Sequence, residues 1–418
     1  RSTKHRPHMA KKVTCIEGGI CAPKGFLSAA VGCGIKDPKV KRLDLGLIYS
    51  EAPTVGWAVY TQNEVCAAPV RLSSSYLKSH PPRAIIVNSG NANACTGHQG
   101  MLDARTMADS TANSLGILRR EVQVCSTGII GVPLPMDRIE REIAPLGQSL
   151  KADGDDIARA VMTSDTQPKS VAAEFKIGRK KVRIGAVAKG AGMINPHMAT
   201  MLCFVTTDAN ISQAEVKAAT NEAVAQSFNR ISVDGDMSTN DTVIVMANGQ
   251  AENDRIVRSG NGSGDFREAL TQVMLHLAKM IVADGERVTK LVEVKVTGAA
   301  SRLDAERVAR AVGNSKLVKC SWNGNDPNWG RVIHAVGYSG ARVKEEMVEI
   351  HFDGVIACQN GLAAKTNIDE LSAAVKKDEF TVCINLNIGK GSYSLFTSDL
   401  SPEYVEFNRE EYALNRKS

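Results

Sequence analysis

An α/β or α+β architecture is expected for this chain of 418 residues, on three observations. Short β-rich runs alternate with segments of helical spacing along the whole length, with no internal repeat and no low-complexity segment. Glycine is frequent, at 35 residues, while aromatics make up only 5%, so close backbone approaches and many turns are expected. The length exceeds what one average core holds and suggests two or three domains.

In chain order, strands are expected at 56–61, 83–88, 123–126, 182–187, 201–206, 242–248, 291–297, 347–352 and 380–386, all runs rich in β-branched or large apolar residues. Helical spacing marks 104–115, 137–144, 155–163, 213–228, 268–284, 304–311 and 370–377. Ser212 is placed to cap the helix at 213–228, with Glu215 completing a capping box. The strongest linker composition is 253–266, with SGNGSGD at its centre. No composition break lies near residue 200, so a cut there would fall inside a folded unit.

Composition narrows the function. The net charge of +6 arises from 51 basic and 45 acidic residues, a small excess without a basic stripe interleaved with aromatics. That argues against nucleic-acid binding and suits small acidic ligands. The ten cysteines are scattered singly, several within apolar runs such as those of Cys203 and Cys383, as expected of buried, reduced thiols. Neither they nor the eight histidines show zinc-ligand spacing. No run of 18 apolar residues predicts a membrane helix. RSTKHRPHMAKK at the start is basic but is followed by no apolar stretch, unlike a secretory signal. Residues 1–10 read as a disordered extension, a targeting remnant or a cloning remnant, with Met9 a plausible natural start.

The Walker phosphate loop, His-Glu-x-x-His and Gly-x-Ser-x-Gly are all missing. Small polar clusters beside apolar strands therefore gain weight. IIVNSGNANACTG (85–97) ends a strand in groups that suit either a ligand or a plain turn. CSTGIIGVP (125–133) sets a Thr127 hydroxyl beside the Gly128 amide, the minimal donors for an oxyanion and also a common strand end. SVDGDMSTNDT (232–242) leaves a metal site at Asp234 and Asp236 open, but no Glu closes a calcium loop, which favours a hydrogen-bonded polar network. In VADGERVTK (282–290), Glu286 and Lys290 are expected to be solvated after a helix end. WNGNDPNWGRV (322–332) reads as a structured loop.

KGAGMINPHMATMLCFVTTDA (189–209) runs from small residues into an apolar strand. Thr200 either simply opens that strand or serves as a nucleophile. A Thr hydroxyl needs a base, and its own α-amine becomes one if the Ala199–Thr200 bond breaks by an N→O acyl shift and ester hydrolysis. Ala199 suits this, since a small side chain leaves its carbonyl open to attack.

KGAGMINPHMATML resembles the self-cleavage signature of the ornithine acetyltransferases, the glutamate N-acetyltransferase family of arginine biosynthesis. GGICAPKGF, AAPV, NSGNANACTG, CSTGIIG, DTQPK, DGDMSTNDT and DPNWGRV stand in the family's order, and the likeness runs from Lys11 to Asn408. It implies a sandwich of β-sheets and helices of the ornithine acetyltransferase type, with a smaller second α/β domain in the C-terminal half. It implies self-cleavage into an α chain, 11–199, and a β chain, 200–418, that stay interlocked, with a heterotetramer the first expectation. Thr200 would carry the acetyl group from N2-acetyl-ornithine to glutamate, and Thr127 and Gly128 match the oxyanion hole. Thr163, Lys189, Glu286 and Asn408 match substrate contacts: Lys189 suits a carboxylate, and Glu286 the substrate's amino group. Arg287 and Val288 replace the family's Gly-Ala, which alters the pocket rim. At the tail, FNREEYALNRKS is longer than the family pattern, so Ala413 stands nearest by spacing to the last substrate contact and Ser418 falls out of register.

No cofactor is implied, although acetyl-CoA serves some members as donor. The partners implied are small-molecule substrates, with neither nucleic acid nor membrane. The address is cytoplasmic, or mitochondrial matrix or plastid in a eukaryote. Two other readings stay open: an N-terminal-nucleophile amidohydrolase or aminopeptidase, in which water takes the acyl group, and a catalytically silent binding protein.

Overall fold

The computed structural model describes residues 12–195 and 201–415, with the side chains of the last helix described as far as Glu410. The chain divides into two compact units, one holding the residues up to Asn229 with Asp236–Ile281, the other Arg230–Gly235 with Val282–Ser418. The expected junction at 199/200 lies within the span of the first.

Among the described residues, the first unit contains two sheets. One has six strands in the order Thr14–Ile16, Lys169–Ile177, Lys180–Lys189, Leu202–Thr207, Thr242–Ala247 and Val55–Tyr60. Its pairs are antiparallel except Leu202–Thr207 with Thr242–Ala247, which run parallel. The other has four strands, Phe26–Val31, Leu45–Ser50, Ala84–Asn91 and Val122–Ile129, of which only the last two run parallel.

Side-chain alternation along the strands builds the layers. Ile85, Val87 and Cys125 of the four-stranded sheet meet Val187, Leu202, Phe204, Ile244 and Met246 of the six-stranded sheet in one buried cluster. The alternate residues Ala84, Ile86, Val122 and Val124 face outward onto Met107, Ala108, Ile139 and Ile143 of the helices Gly97–Leu115 and Met136–Gln148. Beyond the six-stranded sheet lie the helices Gln213–Gln226 and Ser263–Ala283, held there by the Phe175–Phe266 ring contact at 6.3 Å and a Trp57–Asn221 hydrogen bond of 3.1 Å. Helix, sheet, sheet and helix thus form a sandwich.

The second, smaller unit has one six-stranded sheet in the order Leu362–Ala363, Val355–Gln359, Glu349–Phe352, Glu379–Asn385, Leu291–Ala299 and Gly391–Ser398. One face packs on the helices Arg302–Gly313, Lys316–Asn323, Trp329–Gly337 and Ile368–Val375 around fully buried Trp322. Mixed α/β structure in both units bears out the expected class, including the smaller C-terminal part. None of the helices among the described residues is long and apolar enough to cross a membrane.

Every expected strand and helix appears, with shifted ends, but five local expectations need correction. WNGNDPNWGRV is a helix, a turn and a second helix, because Ser315 and Asn328 cap the two helices by accepting the N–H groups of Val318 and Arg331. Ser212 caps its helix, but Glu215 makes no capping box. Its carboxylate is drawn to Arg267 at 2.7 Å, and the Ser212 N–H instead donates to the Ile256 carbonyl. Lys290 is buried rather than solvated, with Nζ donating to Asn325 Oδ1 and the Val375 carbonyl, each at 2.7 Å. Cys383 is half-buried because Val382 and Ile384 occupy the core face of its strand and leave it on the other. The helix expected at 155–163 ends at Ala160.

Phe204 is 1% exposed at the centre of the inter-sheet cluster. Phe204→Ala is expected to cost about 3–5 kcal/mol, read from the shift in the urea midpoint. A loss below about 1 kcal/mol would contradict packing of the two sheets through this ring.

Candidate active site

Of the polar stretches singled out in the sequence, NSGNANACTG, CSTGIIG, STNDT and the strand end at Lys189 come together in the first unit. The parallel strands Ala84–Asn91 and Val122–Ile129 set Ser89 opposite Thr127 and Gly90 opposite Gly128. Gly128 has φ +136, and a Cβ there would collide with the Gly90 carbonyl carbon and the Asn91 nitrogen, so only glycine lets the strand ends approach this closely. Ser126 donates to Asn88 Oδ1 at 2.5 Å. Asn240, from the STNDT stretch, donates both amide hydrogens, to the carbonyls of Ala92 at 2.6 Å and Ser126 at 2.8 Å. The stretch is therefore a hydrogen-bonded network, and among the described residues no cluster of His, Cys, Asp or Glu is arranged to hold a metal.

Lys189 ends the strand Lys180–Lys189 and is buried. Its ammonium donates to Thr127 Oγ1 at 3.1 Å and Thr163 Oγ1 at 2.7 Å. A hydroxyl whose lone pair is taken by an ammonium has its own proton left to donate, so Lys189 turns Thr127 into a hydrogen-bond donor. Asp165 lies behind, accepting Lys169 Nζ at 2.7 Å and the N–H groups of Gly190 at 2.8 Å and Thr163 at 3.0 Å. Burial alone would raise its carboxyl, but the ammonium groups of Lys189 and Lys169 and these donors overcome that and hold it well below the usual carboxylate range.

Lys189 stands opposite Leu202 in the antiparallel pairing of its strand with Leu202–Thr207. Met201, the residue after the expected nucleophile, donates its N–H to Asp241 Oδ1 at 2.7 Å, and its carbonyl accepts the Thr242 N–H. Asp241 is fully enclosed, and its other oxygen has no partner among the described residues. Burial pushes its carboxyl well above the usual range, against the lowering effects of the Met201 N–H and of Lys189. Ala199 and Thr200 themselves lie outside the described residues.

The remaining expected contacts belong to the second unit. Asn408, on the helix Pro402–Asn415, donates to Glu286 Oε2 at 3.1 Å. Arg287, at φ +57, stacks its guanidinium over Phe407 at 4.9 Å, and Ser401 donates to its carbonyl at 2.7 Å. Ala413 is on the same helix, and its side chain lies outside the described residues. The structure thus brings Thr127, Gly128, Thr163 and Lys189 together in one unit and Glu286 with Asn408 in the other.

The sequence model of the ArgJ family matches residues 27–413. This chain belongs to the ArgJ family. The arginine biosynthesis bifunctional protein ArgJ of Geobacter sulfurreducens is 50% identical over 92% of this chain and 98% of its own length. The protein of the same name from Symbiobacterium thermophilum is 45% identical over 94% of this chain and 98% of its own. Among solved structures, the arginine biosynthesis bifunctional protein ArgJ of Bacillus halodurans is 41% identical, covering 50% of this chain and 98% of that one, with a TM-score of 0.48.

In this member of the family, sequence reasoning missed Asp165, Lys169 and Asp241 as parts of the site. The first two stand four residues apart in SDTQPK, a spacing that signals an ion pair only once both are known to be buried. Asp241 lies in a stretch read as a network, and only its hydrogen bond to Met201 ties it to position 200.

A carboxyl whose folded pKa is raised above an unfolded value near 4 contributes stability at low pH and loses it as pH rises toward the folded pKa. Asp241→Asn mimics the neutral acid. It is expected to melt no lower than the wild type at pH 7 and to lose less stability between pH 4 and 7. A variant that melts lower across that range would show that the fold uses the ionised form.

Proposed function

We propose that this chain is a glutamate N-acetyltransferase of arginine biosynthesis that moves acetyl from N2-acetyl-ornithine to glutamate through Thr200, after cutting itself at Ala199–Thr200. The observation that carries the residue assignment is the Lys189 ammonium, held against the Thr127 and Thr163 hydroxyls on a strand paired with the one that follows Thr200.

In the precursor, Thr200 Oγ attacks the Ala199 carbonyl, the C–N bond breaks with a proton passing to nitrogen, and water hydrolyses the ester. The freed α-amine then accepts the Thr200 hydroxyl proton. Oγ attacks the acetyl carbonyl of N2-acetyl-ornithine, and the negative oxygen of the tetrahedral intermediate is met by the Thr127 O–H and the Gly128 N–H. Collapse returns the proton to the leaving amine and releases ornithine. The amine of glutamate attacks the acetyl ester, giving N-acetylglutamate and restoring Thr200, a ping-pong sequence.

Both substrates are amino acids with a carboxylate, which a buried cation at Lys189 suits. Glu286 is assigned to the substrate's amino group, with Asn408 beside it, and Thr163 to the substrate near Lys189. Ala413 is the position assigned to the last contact, where its methyl group supplies no hydrogen bond. The scheme requires no cofactor, and acetyl-CoA is a second donor able to form the same acetyl-threonine. The cut chains, 11–199 and 200–418, are proposed to assemble as a heterotetramer in the cytoplasm, which native mass and fractionation would test.

Intact mass of purified protein should show two chains, and Thr200→Ala one. Acetyl-ornithine with glutamate should give ornithine and N-acetylglutamate in equal amounts. Ornithine released at the same rate without glutamate would mean that water is the acceptor. Thr127→Val is expected to lower kcat about 10²–10³-fold and Thr127→Ser far less.

A further inference from the structure

We infer that Asp165, paired with Lys169, is a positioning residue for acetyl transfer, fixing the Lys189 ammonium against the Thr127 and Thr163 hydroxyls while its own charge is shared between the two lysines. This rests on the reaction proposed above and adds what decides its preference for a carboxylate substrate.

Three side chains are enclosed together: Asp165 is 0% exposed, Lys169 1% and Lys189 5%. Lys169 is in direct contact with Asp165 at 2.7 Å, whereas Lys189 stands 4.0 Å away and directs its hydrogen bonds to the two threonines. Lys169 therefore neutralises Asp165. Lys189 thus shares this carboxylate with a closer ammonium. An enclosed ammonium with no carboxylate nearby would shed its proton, while one with a private carboxylate would have no charge to offer a substrate. The pair gives the state between these.

The same carboxylate also sets the backbone. It accepts the N–H of Thr163 and of Gly190, the residue after Lys189, so one side chain fixes both the loop bearing Thr163 and the end of the strand bearing Lys189. Burial pushes the carboxyl of Asp241, with which Lys189 interacts electrostatically, well above the usual carboxylate range. Arg42, donating to the Met162 carbonyl and to Ser89, is a further cation on the Thr163 side.

The test compares the full-length wild type with Lys169→Met, Asp165→Asn and the double variant. Self-cleavage is followed by intact mass, folding by melting temperature, and kcat and KM for N2-acetyl-ornithine are measured with saturating glutamate from pH 6 to 10. Lys169→Met gives Asp165 wholly to Lys189, so KM should rise about tenfold or more while the basic limb of kcat/KM does not move to lower pH. The double variant removes the pair without leaving either partner unpaired. It should cleave, and its basic limb should move down by about one pH unit or more as Lys189 loses its counter-charge. Asp165→Asn alone should show the same downward limb.

A folded, cleaved double variant with wild-type KM and pH profile overturns the inference. If the variants lacking Asp165 do not fold, Lys169→Met decides: a wild-type KM there overturns it, and a raised KM with an unshifted limb supports it. A wild type that neither cleaves nor transfers acetyl would overturn the functional reading instead, before any variant is compared.

Discussion

The constraint on which the site depends is the antiparallel pairing of Lys180–Lys189 with Leu202–Thr207 inside the six-stranded sheet. One strand carries the cation, and the other begins just after the residue assigned as nucleophile. Their register sets Lys189 opposite Leu202, so neither can slide without turning a row of buried side chains to the wrong face. The parallel partner Thr242–Ala247 locks the second strand from its other side, and Asp241 at its head holds the Met201 N–H. The segment between the two strands thus starts and ends at fixed points. Backbone hydrogen bonds across the pair do not depend on the peptide bond between residues 199 and 200, so the proposed cut there would leave these bonds in place.

Around that frame, polar groups are buried at a cost met by reciprocal pairing. Asp165 collects two ammonium groups and two backbone N–H groups, and Asn240 spends both amide hydrogens on carbonyls of neighbouring loops. Each such group is costly if left alone and inexpensive if satisfied. The close approach of Gly90 and Gly128 brings the donors of one loop beside the other, and a side chain at Gly128 would force them apart.

Much of this was legible in the sequence. The strands at 83–88, 182–187, 201–206 and 242–248 are apolar runs bounded by small polar residues, and the structure has strands at each. The strand Lys169–Ile177 escaped notice because KSVAAEFKI mixes small and charged residues, and its identity comes from its partner across a Gly178 turn. The helices around Trp322 and Trp329 were hidden by Asn, Gly and Pro, although their caps were in plain sight. Glu215 and Lys290 were misjudged for one reason: their partners Arg267 and Asn325 lie 52 and 35 residues away. Within the site, Thr127 and Lys189 were each identified, but their contact spans 62 residues and only the fold creates it.

The strand pairing across position 200 also bears on how the molecule is lost once it is made. Before the proposed cut, the two strands belong to one polypeptide and find each other at high effective concentration. Afterwards the same contact would be between separate polypeptides, and unravelled material would have to meet again by diffusion. The mature enzyme would then be a one-way product, its persistence governed by the height of the unfolding barrier rather than by equilibrium with its unfolded chains.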